Sequence, residues 1–339
     1  MRRWVRLVAT VAVALALVAA CSDDDEGGAT LTTDPAELVD ESELDPPPPL
    51  PEEDLSVDIE GGTILFHGFD EGARGLYATP PDADEPTEID VGDFAGVMAP
   101  AVAPDGVTAA VLGWPEGRHE DATTLLVGTV DGGFEHLLVE EDLSLWCARW
   151  FPDGERLLVT AFVEEDLTPR LFEVDLDGEV TEHSVDPGRY DCAIPLDDDR
   201  VVLSYLGMDT SILGLAEADL VTGEAEVLFE KLGCQVHGGE LSPDGRQLVT
   251  GAVCDTPGDS GVHLVDLESG DVDHILAAEV AYPAFSPSGE WIVFALYSSP
   301  EAMTSTIWAI RTDSSGFREI TEHAGIQADW VAPVGAESP

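Results

Sequence analysis

A Pro-Asp-Gly hairpin motif recurs along the chain, Val, Thr and Phe crowd the segments around it, and one last strand-like segment has no successor. These three observations predict an all-β fold: a six-bladed β-propeller of four-stranded antiparallel blades, closed by a C-terminal strand in the first blade.

The repeat is written in AVAPDGVTAAVLG, ARWFPDGERLLVTAF, GELSPDGRQLVTGAV and PAFSPSGEWIVFAL. Aligning Asp105, Asp153, Asp198 (in the degenerate PLDDDR), Asp244 and Ser288 gives gaps of 48, 45, 46 and 44 residues. That period, with β-rich content, is one propeller blade per repeat. Helical repeats of similar length are excluded, because no long stretch spaces its apolar residues by three and four. Within the turn, Pro presets φ, Asp bonds the backbone and Gly takes the left-handed conformation. A type I turn with a glycine bulge and a three-residue loop, Pro243-Asp244-Gly245, is predicted.

Each blade then reads as four strands. In the fifth they are expected at 236–241, 246–253, 262–266 and 272–276, with a turn at Ser269-Gly270. RLFEVDLDGEVTEHSV, LGLAEADLVTGEAEVLF and IWAIRTDSSGFREIT repeat the second half of this pattern. Near the start, EGGTILFHGF, RGLYAT and PTEIDV supply three strands; near the end, IQADWVAP matches ARWFP and PAFSP as a first strand. The economical closure places 326–331 as the innermost strand of the first blade. A seventh blade would need its own strand at 55–59 and is the lesser reading. Stacking blades around an axis buries faces that a single repeat would expose.

On the signature as it stands in PAFSPSG, ARWFPDG, ELSPDG and AVAPDG, residues 55–333 resemble the TolB-like, WD-repeat-like β-propellers of bacterial envelopes. The resemblance implies a propeller and an envelope setting; it is specific for fold and poorly specific for function. The α/β domain that precedes the propeller in TolB finds no counterpart in the 33-residue acidic tether, so that protein's partner role is not carried over. Prolyl oligopeptidases carry similar propellers, but their hydrolase domain is absent here.

The N-terminus reads as a targeting segment. MRRWVR is basic, residues 7–20 are apolar and too short for a comfortable span, and Val-Ala-Ala-Cys resembles a lipobox. Residues 1–20 are therefore expected to be a lipoprotein signal peptide and Cys21 the lipidated residue. Residues 21–54 are expected to form a disordered acidic tether. From 22 to 54 there are 13 acidic residues and no basic ones, so the segment cannot bury enough apolar surface to offset chain entropy. The propeller spans 55–333 and 334–339 is a tail. The protein is expected at the outer face of the cytoplasmic membrane or in the envelope, held to the membrane only through its lipid.

Across 339 residues there are 69 acidic residues against 14 basic ones, and Lys231 is the only lysine. Losing Arg2, Arg3 and Arg6 with the signal would take the net charge to 11 − 69 = −58. Nucleic acid is excluded as a partner, since phosphate binding needs clustered Lys and Arg. The charge favours cations, basic partners or a salty medium.

Four further cysteines suggest two disulfides in an exported chain, and three connectivities exist on paper. The expected three-residue loop pairs positions whose numbers sum to 488, which sets Cys234 opposite Cys254. Cys147 and Cys192 start equivalent strands of adjacent blades and form the expected blade-to-blade staple.

Catalytic signatures are missing. No GxSxG elbow occurs, TPGDSGVH has the wrong spacing, and the eight histidines show no HxH or HExxH pattern. No cofactor and no metal site is expected. DLDG at 175–178 and DDD at 197–199 resemble fragments of calcium loops, and weak Ca²⁺ binding is the secondary expectation. The binding site is expected at the channel mouth, where Trp146, Arg149, Arg189, Tyr190, Gln235, His237, Tyr282 and Asp329 converge. Trp150, Phe285 and Trp330 are expected to pack between blades. The resulting function is a monomeric, non-catalytic binding or scaffold module for an envelope protein, a peptide or a wall polymer. The alternatives are a hydrolase or lyase centred on His237 and Arg149, and a cation-binding protein.

Overall fold

The computed structural model describes residues 48–70, 73–83, 85–115, 123–139, 143–163, 169–185, 190–206, 212–232, 234–297 and 305–332. The expected signal peptide, Cys21 and nearly all of the tether lie outside the described residues. So does Arg189.

The chain is all-β with a propeller-like arrangement. The first run of strands is β1 (Thr63–Asp70), β2 (Ala73–Thr79) and β3 (Thr87–Ile89). The second is β4 (Gly96–Val102), β5 (Thr108–Trp114), β6 (Thr124–Thr129) and β7 (Gly132–Val139). Next come β8 (Leu143–Trp150), β9 (Arg156–Val163), β10 (Pro169–Asp175) and β11 (Val180–His183), then β12 (Tyr190–Pro195), β13 (Arg200–Leu206), β14 (Ile212–Asp219) and β15 (Ala225–Leu232). The remainder are β16 (Cys234–Leu241), β17 (Gln247–Cys254), β18 (Gly261–Asp266), β19 (Val272–Ala277), β20 (Val280–Phe285), β21 (Trp291–Tyr297), β22 (Ser305–Arg311), β23 (Arg318–Thr321) and β24 (Gly325–Val331).

These strands form four sheets of four strands and one sheet of eight. The larger sheet contains two four-stranded runs, joined by one parallel bridge between Arg74 on β2 and Gly96 on β4. In its first run the C-terminal β24 pairs antiparallel with β1, from Thr63↔Val331 to Gly68↔Gly325. The innermost strands pack in sequence: β24 on β4, β4 on β8, β8 on β12, β12 on β16, β16 on β20, and β20 back on β24.

Core residues sit between successive runs. Trp150 is buried with Ala101, Leu112 and Leu157, and its Nε1 donates to Ala101 O at 3.0 Å. Phe285 is buried with Val249 and Leu276, and Trp330 with Phe66, Trp291 and Ile307. Each of these side chains therefore does pack between runs. Large apolar side chains dry the faces that hydrogen bonding between strands leaves exposed.

The hairpin turn differs from expectation in one detail. Ser242 N donates to Gln247 O and Gly245 N to Ser242 O, both at 2.8 Å, so the loop holds four residues, 243–246. The same pair of bonds closes the turns at Ala103–Thr108, Phe151–Arg156 and Ser286–Trp291. Register near the turn, Leu241↔Leu248, therefore sums to 489. A bulge between Val236 and Gly239 absorbs one residue and restores 488 at Cys234↔Cys254, which are bridged. Two offsets cancel. Cys147 and Cys192 are also bridged, with Cα atoms 5.7 Å apart, between the runs that begin with β8 and β12.

Turn carboxylates hold their own backbone. Asp105 Oδ1 accepts from Val107 N and Thr108 N at 2.8 Å, and Asp153 Oδ1 accepts from Glu155 N at 2.8 Å. In PLDDDR the loop is one residue shorter, closed by Leu196 N to Arg200 O at 2.8 Å. Asp197, not Asp198, does the capping there, accepting from Arg200 N at 2.9 Å. In DLDG, Asp175 Oδ1 accepts from Asp177 N and Glu179 N at 3.0 and 2.8 Å, so the calcium-like fragment is an Asx turn. The last residues of the expected tether are docked: Asp54 N donates to Phe317 O and Glu53 Oε1 accepts from Glu319 N, both at 2.9 Å.

Candidate functional site

Every innermost strand carries a register irregularity at the same level. It falls at Gln327 on β24, between Met98 and Ala101 on β4, at Trp146 on β8, at Asp191 on β12, between Val236 and Gly239 on β16, and between Ala281 and Ala284 on β20. At three of these, a non-glycine residue takes the left-handed conformation: Ala99 (φ 51), Tyr282 (φ 52) and Gln327 (φ 54). Gly238 (φ 74) is their counterpart on β16. Such conformations cost energy and re-aim side chains, and they concentrate at functional sites. Neighbours lock the ring together. Gln327 Oε1 accepts from Ala99 N at 2.9 Å, and the Tyr282 ring lies so close over Gly238 that a Cβ there would meet it at 2.7 Å.

Of the residues expected at the mouth, Trp146 is at the bulge of β8, exposed, with its ring edge-on to Phe162. Tyr282 is at the bulge of β20, half-buried. Gln235 stands opposite Val253 on β16, and His237 lies within that strand's bulge. Tyr190 is a correction. It is buried with Phe151, Leu171 and Ala218, and burial, with Glu182 nearby, pushes its phenol up to about 12. It packs between sheets because it precedes the bulge of β12 instead of occupying it.

One level further along stand Arg149, Glu240 and Asp329. Glu240 escapes motif reading, yet it holds on β16 the position that Arg149 holds on β8, three residues before the turn proline. Repeat alignment is the signal that finds it. Both carboxylates reach to the next innermost strand. Asp329 Oδ2 accepts from Val102 N on β4 at 2.7 Å, and Glu240 Oε2 accepts from Phe285 N on β20 at 2.8 Å. The inward edge of an innermost strand has no sheet partner for its N–H groups, and these carboxylates supply acceptors. On β12 the position equivalent to Val102 and Phe285 is Pro195, which has no N–H. The strand before it, β8, carries Arg149 where β16 carries Glu240.

Burial pushes the Glu240 carboxyl well above its ordinary range; the neighbouring charge of Asp329 adds to this, while the Phe285 N–H and Arg149 oppose it. Asp329 is also raised by burial, against the Val102 N–H, Arg149 and the Trp330 N–H. Protein crowds both groups, but each keeps part of its surface accessible. Arg149 acts on both without an ion pair to either; its Nη1 donates to Ala148 O at 2.9 Å. Glu240 Oε1 has no hydrogen-bond partner among the described residues.

The histidines of β18 and β19 are held by one another and by backbone carbonyls. The His263 and His274 rings stack at 4.4 Å, and their Nε2 atoms meet Asp259 O and Ser260 O at 3.1 and 3.2 Å. Among the described residues no group of three or more His, Cys, Asp or Glu is placed to hold a metal ion.

No protein-family model matches the chain, and no curated protein matches it. Solved structures do. TolB from Acinetobacter baumannii aligns over 80% of this chain and 67% of its own, with a TM-score of 0.64 and 19% identity. The fold is that of a TolB-like β-propeller. A nidogen/laminin complex structure aligns over 80% of this chain and 98% of its own, with a TM-score of 0.58 and 9% identity. Oligogalacturonate lyase from Vibrio parahaemolyticus aligns over 75% and 73%, with a TM-score of 0.51 and 14% identity. Likeness at such identities concerns the propeller fold; function has to be argued from the channel.

Proposed function

We propose that this chain is a six-bladed β-propeller, closed by β24, that works as a non-catalytic binding module with its site in the central channel. The observation that carries the binding reading is the channel set of Arg149, Glu240 and Asp329 beneath Trp146 and Tyr282. Two carboxylates and a guanidinium on three different strands, not paired with one another, offer charge to something that enters between them. The aromatic rings above offer a face to a cation or a peptide. A net charge of −55 draws basic partners toward the disc. Placement outside the cytoplasm accords with the two disulfides and with the lipobox. Cys21 would carry the lipid, and most of 21–54 would be the leash.

The test is capture of an envelope component by the purified protein. A partner bound by the wild type and lost in both Trp146→Ala and Arg149→Gln supports the channel. Equal capture by both variants rejects it.

The likeness to oligogalacturonate lyase favours one enzymatic reading. The charge opposes it, since a polyanionic sugar chain would approach a strongly acidic disc against repulsion. Release of unsaturated product from oligogalacturonate, abolished by Arg149→Gln, would establish that reading.

A further inference from the structure

The charged residues of the channel stand on alternate members of the ring of innermost strands. Asp329 is on β24, Arg149 on β8 and Glu240 on β16, whereas β4, β12 and β20 carry Ala101, Ile194 and Ala284 at this level. In the packing order β24, β4, β8, β12, β16, β20, the two carboxylates flank β20 and Arg149 comes from the strand facing it across the ring. Ala101, Ile194 and Ala284 are buried in the cores between sheets, so the charge of the channel at this level comes from an acidic wall and a basic wall. A lone cation would meet the guanidinium, and a lone anion would meet two carboxylates. A ligand carrying both charges satisfies both walls.

We propose that the channel binds a zwitterion, with an ammonium group seated between Glu240 and Asp329 and a carboxylate held by Arg149. This rests on the channel-binding reading above. The geometry of the acceptors supports it. Glu240 uses Oε2 on the Phe285 N–H and keeps Oε1 for a ligand, while both oxygens of Asp329 are held by the Val102 and Trp330 N–H groups, which fixes that carboxylate in place. Planar guanidinium suits a carboxylate better than any other cationic side chain.

The test is calorimetric titration of the full chain with ω-amino acids from β-alanine to ε-aminocaproate, each beside the amine and the carboxylic acid of equal length. At least one amino acid is expected to bind tenfold or more tightly than its amine. Arg149→Gln should erase that preference while leaving the amine bound, and Arg149→Lys should restore part of it. Glu240→Gln should weaken amine and amino acid alike. Thermal unfolding of each variant checks that it is folded. An amine that binds as tightly as the amino acid, or a preference unchanged in Arg149→Gln, overturns the zwitterion and leaves a simple cation site. Failure of every probe overturns the zwitterion alone; the channel reading is overturned separately, by equal capture of an envelope component by wild type, Trp146→Ala and Arg149→Gln.

Discussion

Glu240 and Asp329 show how one residue serves structure and chemistry together. Each uses an oxygen to cap an N–H on the neighbouring innermost strand, and the two carboxylates stand near enough to act on one another. Because Glu240 holds its proton more tightly in the folded chain than in the unfolded one, its contribution to stability is complete at low pH. It is lost as pH rises through the elevated folded value. Glu240→Gln should therefore melt higher than wild type at alkaline pH, with the difference shrinking toward pH 5; a constant difference would contradict this. His67 acts in the opposite direction. It is buried on β1, neither ring nitrogen makes a well-formed hydrogen bond, and burial with Arg74 nearby holds its imidazole at about 3. Gln327 is near enough to act on it without completing such a bond. Its stabilisation is present above the ordinary value of 6.5 and is lost as pH falls from there toward 3. Each unit of that fall should cost up to about 1.4 kcal/mol. Unfolding of His67→Leu followed from pH 7 to pH 4 should show a flatter acid dependence; an unchanged slope would refute the assignment.

At the scale of the element, the hairpin and the bulge work as a pair. The turn sets register at one end of β4, β8, β12, β16 and β20, and the bulge resets it further along each strand. Asp105 fixes its turn with two backbone acceptances and a bond to the Thr108 hydroxyl at 2.6 Å. Asp105→Ala should cost about 1 kcal/mol, the usual worth of a lost cap of this kind. Denaturant unfolding measures it, and no loss would mean that proline and glycine suffice. One disulfide joins the residues that directly follow the bulges of β8 and β12, and the other joins the first residue of β16 to the last of β17. In the chain-entropy view, bridges closing 45 and 20 residues contribute about 4 and about 3 kcal/mol. Paired Cys→Ser variants, melted under identical conditions, should rank in that order.

Over the whole molecule, stability depends on pairing β24 with β1, two strands distant in sequence. Trp330 sits in that seam, buried with Trp291 and Phe66, and its Nε1 donates to Gly61 O at 3.3 Å. Trp330→Ala should cost about 3–5 kcal/mol, as large aromatic-to-Ala core changes do. A smaller loss than that of a single exposed residue would argue against a seam there. The net charge acts across the same dimensions. Self-repulsion at −55 opposes compactness until salt screens it. The melting temperature should rise with added salt, and indifference to ionic strength would count against this.

Much of this was readable residue by residue. Pro-Asp-Gly states its own turn, since φ preference and side-chain capping are local, and strands of the fifth repeat lie within a residue or two of their expected bounds. Periodicity is enough to foretell that Ile326 to Val331 joins the opening strands; Cys147–Cys192 follows from equivalent positions, and Cys234–Cys254 from hairpin register in which two offsets cancel. Tyr190 was misplaced because a one-residue bulge decides whether a side chain faces the channel or the space between sheets, and no local preference marks the bulged residue. Glu240 carries no motif, and among 69 acidic residues only its alignment with Arg149 in the repeat marks it out. Its role exists only where β16 meets β20 and a backbone N–H, deprived of a sheet partner, needs an acceptor. Local chemistry wrote the turns, strands and bridges; the meeting of strands remote in sequence set Asp329 and Glu240 against backbone N–H groups of β4 and β20, because desolvation and unpaired backbone groups arise only after packing.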